Sequence, residues 1–284
     1  MIPAVELAQL EQQVQEALAS GDRSALCVLG YGEISLVLGW PGDGPRWACK
    51  RLPPFGSVEA VDHYANTLDH YVEELGLRGV AVVPTEVLRV AMGDDRLAVY
   101  CVQEVLPAGS MAVGLVAGDD RRAEDVLGNI VHLACNVVDD RVGLDAQLSN
   151  WAVTDGGLTY FDVTTPLLRR ADGREALDTE IFLASLPWML RAPVRRFVLP
   201  GLLDRYHQPR SVVRDLAANL VKEDLDDRIG LVLAAAGDRL DQGRAHPLTL
   251  VGGVGAHYLE VPVRLAGVDL LHLADELHAP QDPT

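Results

Sequence analysis

Four polar side chains stand where they can share the work of moving a charged group. Lys50 closes the short run Trp47-Ala48-Cys49 and, on a strand, points inward to hold phosphate oxygens as a point charge. Of the 24 basic residues only Lys50 and Lys222 are lysines, so a lysine at this place asks for a chemical reason. Asp145 and Asn150 lie five residues apart in Gly143-Leu144-Asp145-Ala146-Gln147-Leu148-Ser149-Asn150. An aspartate there can accept a hydroxyl proton, and the asparagine can ligate a metal. Twelve residues further on, Asp162 ends a strand-like run, a place suited to a Mg2+ ion that bridges phosphate oxygens. Singly, each has an ordinary structural explanation as a surface lysine, a cap or a turn.

A glycine-bearing turn, Leu29-Gly30-Tyr31-Gly32-Glu33-Ile34-Ser35-Leu36-Val37, lies between two expected strands, 18 residues before Lys50 when counted from Gly32. Glycines let a backbone approach phosphates closely, and turn amides can bind their charge. A dinucleotide-binding fingerprint is disfavoured, because a strand and not a helix follows the glycines.

The surrounding periodicities supply the frame. Residues 3–19, with Val5, Leu7, Leu10, Val14 and Leu18, are spaced as an amphipathic helix ended by Ser20-Gly21-Asp22. Short strands are expected over 25–29, 34–40 and 46–52, then a helix over 57–76 and strands over 81–90 and 96–105. Pro107-Ala108-Gly109-Ser110 breaks the chain. Beyond it come a helix over 122–139, an irregular piece over 140–150 and a hairpin with arms 151–153 and 158–161. From Pro166 to 240 the pattern is mostly helical, and 247–273 matches neither period. The expected organisation is an N-terminal helix (1–20), a β-rich lobe (21–106) and a larger helical lobe (107–284).

Composition narrows the partners. The 284 residues hold 41 acidic against 24 basic side chains, a formal charge of −17, which repels nucleic-acid backbones and anionic lipid surfaces. No apolar run nears the 18 residues of a membrane span and no export leader is visible, so no membrane role and a cytoplasmic location are expected. Cys27, Cys49, Cys101 and Cys135 are widely spaced in apolar surroundings and read as buried free thiols in a reducing compartment.

In this order, the glycine hairpin, the A-x-K strand, helix, two strands, break, helix, D-x-x-x-x-N loop, hairpin and Asp together resemble the protein-kinase-like fold over residues 24–166. The likeness is nearest to the aminoglycoside-phosphotransferase-like branch of small-molecule kinases. It implies a two-lobed α+β fold, with a small antiparallel-sheet lobe carrying one main helix and a larger, mostly helical lobe. It also implies ATP and Mg2+ as cofactors. Gly30, Gly32 and Ser35 then fall on the phosphate-covering loop, Val37 and Ala48 against the base, and Lys50 on the α/β-phosphates. Backbone groups of Glu104 and Leu106 fall at the adenine edge, Asp145 on the catalytic base, and Asn150 and Asp162 on the metal-ligating positions.

Departures accompany the likeness. The usual His-Arg before the catalytic Asp is Gly143-Leu144, the residue two after it is Gln147, and the D-F-G segment is Asp162-Val163-Thr164. For the ion-pair partner of Lys50, protein-kinase spacing points to Asp69. Smaller-kinase spacing puts Tyr64 inward, and Glu73 is a third candidate. His63, His70 and His132 form no metal spacing, while Trp188 and Phe197 sit at core-like helical spacing. Arg195, Arg196, Arg205 and His207 read as solvated helix faces. Two readings of function follow: an ATP/Mg-dependent phosphotransferase acting on a hydroxyl of a small molecule or peptide, or a pseudokinase-like module that holds nucleotide, peptide or a partner protein without turnover.

Overall fold

The computed structural model describes residues 2–31, 35–93, 95–179, 183, 191–192 and 194–240. Its first lobe is built on a five-stranded antiparallel sheet of β1 (Val28–Tyr31), β2 (Leu36–Trp40), β3 (Trp47–Arg51), β5 (Glu86–Ala91) and β6 (Leu97–Glu104), in the order β1-β2-β3-β6-β5. Side chains alternate across a strand, so the sheet has two distinct faces. Leu38, Trp47, Cys49, Tyr100 and Val102 point to one, and Val99 and Cys101 to the other.

Each face has its own helix. On the outer side α1 (Ala4–Ser20) lays Leu7, Leu10 and Val14 against Leu38, Trp47 and Tyr100. The helix ends where Gly21 takes φ +73° and returns its N–H to Ala17 O, a left-handed closure that favours glycine. Val5 and Leu18, part of the expected apolar stripe, are instead exposed, at opposite ends of the helix. On the inner side α2 (Val58–Leu77), capped by Ser57 Oγ accepting from Ala60 N–H, buries Val61, Tyr64, Leu68, Tyr71 and Leu75. β6 is thus buried on both faces, which explains its unbroken apolar run Leu97–Val102.

In the middle of the buried stripe of α1 sits a carboxylate, Glu11. Arg51 holds it with two hydrogen bonds of 2.9 Å, and Tyr100 Oη and Gln15 Nε2 each donate at 2.5 Å. Arg51 reaches it because β3 alternation sends residue 51 to the α1 face and residue 50 to the other. Burial works against the charge of Glu11, but the bonds from Arg51, Tyr100 and Gln15 outweigh it and hold its carboxyl below the usual range.

The single strand expected over 81–90 is two. β4 (Ala81–Val82) pairs in parallel with β8 (Gly157–Tyr160), while β5 joins the sheet of the first lobe. Pro84, between them, has no N–H for a ladder, and the chain turns there. Beyond β6, α3 (Ala112–Gly118), not foreseen from periodicity, leads to α4 (Asp120–Val137), capped by Asp119. The hairpin β7 (Trp151–Thr154) and β8 (Gly157–Tyr160) follows, then α5 (Leu199–Tyr206), α6 (Pro209–Lys222) and α7 (Ile229–Leu240). The architecture is the two-lobed α+β arrangement implied by the resemblance, and one core runs through both lobes, from Tyr64 and Leu75 of α2 to Ile130 of α4 and Leu216 of α6.

Removing one partner of a buried ion pair strands the other charge. Glu11→Ala is therefore expected to cost about 3–5 kcal/mol in a urea titration at pH 7. Because the folded carboxyl titrates below its ordinary 4.5, this contribution is whole above that pH and is lost as pH falls through the lower folded value. The wild type should then lose its advantage over the variant in acid.

Candidate active site

Register puts the first cleft residues in rows. Gly30, Val37, Lys50 and Cys101 lie opposite one another on β1, β2, β3 and β6, and Ala48 lies between Gly39 and Gln103. All belong to the face that looks toward α2 and the second lobe. From that row Lys50 Nζ reaches across to Asp162 Oδ1 at 2.7 Å, joining residues 112 apart in sequence. The same oxygen accepts from Thr164 Oγ1 at 2.8 Å. Burial raises the cost of the Asp162 charge, yet Lys50 and Thr164 together keep its carboxyl below the usual range.

The helix beside this pair offers Lys50 no acid. Asp69, the expected partner, is exposed on the outer side of α2, and so is Glu73. The correction follows from helix phase: with Leu68, Tyr71 and Leu75 buried, positions 69 and 73 are turned outward. Tyr64 is the residue that faces in. Its hydroxyl donates to Thr164 O at 2.9 Å and lies 3.3 Å from Cys101 Sγ. Burial pushes the Tyr64 phenol well up and the Cys101 thiol up to about 11, so neither carries charge near neutral pH. α2 thus braces the Asp162 segment through Thr164, a role that spacing alone does not reveal.

The loop carrying Asp145 is pinned from three directions. Gly143 N–H donates to Leu167 O at 2.8 Å, Leu144 N–H to Tyr206 O at 3.1 Å, and Tyr71 Oη to Gly143 O at 2.9 Å. Asp145 Oδ1 accepts from Gln147 N–H at 3.3 Å. Asn150 Nδ2 donates to Asp145 O at 3.2 Å, and Asn150 O accepts from Phe161 N–H, next to Asp162. Burial raises the phenols of Tyr71 and Tyr160, and the charges of Asp145 and Asp162 raise both further.

Gly143 has a steric reason. A Cβ there would stand 3.0 Å from Leu167 Cβ and from Tyr206 O, and 3.1 Å from His207 Cε1. The space beside it is filled from α5 and the residue after it. His207 is 3% exposed, not on a solvated face, and burial lowers its pKa. Arg205 pairs with Asp215 at 2.6 Å. Phe197, expected in the core, is 79% exposed. His63 and His132 are exposed on their helices, and His70 lies 3.6 Å from Glu74.

The nucleotide side is less complete. Gly32, together with Trp188 and the whole of 241–284, lies outside the described residues; Ser35 is half-buried just before β2. At the edge of the sheet, Val105 N–H donates to Arg46 O, so Glu104 and Trp47 form a pair that exchanges no backbone bonds. β5 pairs only as far as Val102. The backbone groups of Glu104 therefore point away from β3 into the space past β5, while its side chain meets Arg46 at 3.3 Å in solvent. Leu106 follows, half-buried. Gln103 Nε2 donates to Phe161 O and Thr85 Oγ1, both at 2.8 Å, tying the end of β6 to the residue before Asp162. Among the described residues no group of three or more His, Cys, Asp or Glu gathers as a metal cage. Asn150 and Asp162 offer one amide and one carboxylate oxygen, a sparse hard-oxygen set that fits Mg2+, which keeps waters and phosphate oxygens as its other ligands.

Gly143→Ala is expected to destabilise the fold by about 1–3 kcal/mol, measured by denaturant titration, because two of the three atoms it meets belong to packed backbone or core. Gly143→His should fail to fold.

Comparison with known proteins comes from two directions. Among solved structures the chain aligns with WaaP in a complex with acyl carrier protein, at 16% identity and a TM-score of 0.34, covering 72% of this chain and 88% of that one. It also aligns with the MAP kinase LmaMPK10 from Leishmania major, at 11% identity and a TM-score of 0.32, covering 87% and 91%. No curated protein matches. No helix among the described residues is long and apolar enough to cross a membrane. Residues 9–248 match the family described as "Family of unknown function (DUF6206)". The chain belongs to the DUF6206 family.

Proposed function

We propose that the chain is an ATP- and divalent-metal-dependent phosphotransferase acting on a hydroxyl, of the aminoglycoside-phosphotransferase-like kind. The observation that carries this reading is the meeting of Lys50, Asp145, Asn150 and Asp162. They come from a strand, a loop, a short turn and a post-hairpin segment, yet they are joined by the Lys50–Asp162 pair, the Asn150–Asp145 bond and the Asn150–Phe161 backbone bond. A structure that needed only packing has no use for four such groups in one cleft.

In this reading Lys50 leaves Asp162 to hold phosphate oxygens at the tail of the nucleotide. Val37 and Ala48 line the base, and the backbone of Glu104 and Leu106 meets its edge, with the strand around Gly30 and Ser35 covering the phosphates. Asp145 orients the acceptor hydroxyl and takes its proton as the oxygen bonds to the γ-phosphorus. The bond from that phosphorus to the bridging oxygen breaks, leaving ADP. Asn150 and Asp162 would hold Mg2+, which supplies charge neutralisation at the β/γ oxygens. Most of the acceleration comes from positioning and electrostatics. The acceptor is a small molecule or a hydroxyl-bearing peptide.

One observation favours a second reading, a binding module that holds nucleotide or a protein partner without turnover. α2 presents Tyr64 where a carboxylate would hold Lys50, and Thr164 occupies the place of a flexible glycine. The test is calorimetric titration of ATP with and without Mg2+ into the wild type, Lys50→Ala and Asp162→Ala, followed by an acceptor screen with Asp145→Ala as control. Mg2+-dependent binding lost in both variants, with turnover abolished in Asp145→Ala, is the expected result. Binding without turnover on any hydroxyl acceptor selects the second reading. Absence of binding at millimolar ATP overturns both nucleotide readings.

A further inference from the structure

The buried face of α6 runs through Val212, Val213, Leu216, Ala217 and Leu220, and in the same face sits an amide, Asn219, 4% exposed. A leucine there would pack at no polar cost, whereas a buried amide is tolerated only if its groups are bonded. Both ends of Asn219 are bonded, and both bonds land on the stretch between Asp145 and Asn150. Oδ1 accepts from Leu148 N–H at 3.0 Å, and Nδ2 donates to Gln147 Oε1 at 3.2 Å.

The second bond has a direction. With its oxygen committed to Asn219, the Gln147 amide must turn its NH2 the other way, and Nε2 donates to Asp145 Oδ2 at 3.4 Å. The backbone N–H of Gln147 already faces Oδ1 at 3.3 Å. One residue therefore brackets both oxygens of Asp145, and its side chain is oriented from a helix more than 70 residues away in sequence. The carboxylate torsion of an aspartate is otherwise broad. The two donors, one backbone and one side-chain, steer the carboxylate from both of its oxygens.

We propose that Asn219 is a positioning residue for Asp145, acting through the amide of Gln147. The proposal rests on the reading of Asp145 as the group that orients the acceptor hydroxyl. Asn219→Asp keeps the shape and the acceptor for Leu148 N–H but has no donor for Gln147. Gln147 then swings its NH2 toward position 219 and leaves Oδ2 of Asp145. Gln147→Met removes the same link while sparing the bond to Leu148.

The experiment reads the carboxyl carbon resonance of Asp145 by NMR at fixed pH, without nucleotide, in the wild type, both single variants and the double variant. The expected result is a displacement of that resonance in each single variant, with no further displacement in the double, because two links of one relay cannot be lost twice. The Asp162 resonance should stay in place. An unmoved Asp145 signal in Asn219→Asp, or additive displacements, overturns the relay. If Asn219→Asp fails to fold, Gln147→Met decides alone: the Asn219 side-chain amide protons and the Asp145 carboxyl carbon must both move, and constancy of either overturns the proposal. Where the wild type turns over, both single variants should lose roughly tenfold or more in kcat with ATP affinity unchanged. A protein that shows the relay by NMR yet transfers no phosphoryl group sinks the phosphotransferase reading and leaves the relay standing.

Discussion

The ion pair between Lys50 and Asp162 is the contact around which the cleft is arranged. It joins the third strand of the first lobe to the segment after the hairpin of the second. Its two members are partly open to solvent, at 18% and 35% of side-chain area, so its worth lies less in stability than in geometry. Because Thr164 also donates to Asp162, and Tyr64 donates to Thr164, the pair is the visible end of a chain of bonds that reaches into α2. Sheet, helix and post-hairpin segment are thereby referenced to one carboxylate oxygen.

The alternation of β3 explains how two ionic systems coexist within one strand. Lys50 and Arg51 are neighbours in sequence, yet they face opposite sides of the sheet, one toward Asp162 and the other toward Glu11. The layered first lobe follows from this. α1 seals the outer face by apolar contact and through the Glu11 network, while α2 and the second lobe close the inner face. β6 is buried on both sides between these layers, whereas β5 at the edge of the sheet keeps Arg89 and Ala91 exposed.

Much of this was legible in the sequence, because periodicity reports local structure well. The helices near 3–19 and 57–76, the hairpin near 151–161 and the break at 107–110 follow from spacing and turn residues, and the grouping of Lys50 with Asp162 follows from their order along the chain. What escaped was set by tertiary placement. Nothing local distinguishes Glu11 from Glu6 or Glu16 in the helix pattern; only the arrival of Arg51 and Tyr100 makes it a buried ion. The phase of α2 was visible in Leu68, Tyr71 and Leu75, and it excludes Asp69 once the inward face is fixed by packing. Pro84 carried the signal for the divided strand, but the partner of β4, the hairpin strand β8, is nearly 80 residues away in sequence. His207 and Phe197 traded expected places because one fills the gap beside Gly143 and the other stands outside the helix contacts.

The division of one expected strand at Pro84 has a mechanical consequence. β4 is fastened to the second lobe and β5 to the first, with Val83 N–H donating to Tyr160 O at the crossing. The chain crosses again between Glu104 and Met111, where the residue after β6 is bonded to Arg46 and Ser110 O accepts from Val153 N–H. Two crossings of the chain, each held by backbone bonds, therefore tie the lobes together at separate points. The bonds of Tyr64 to Thr164, Tyr71 to Gly143 and Gln103 to Phe161 add side-chain ties between them, so the place where Lys50 meets Asp162 is fixed by several independent fastenings.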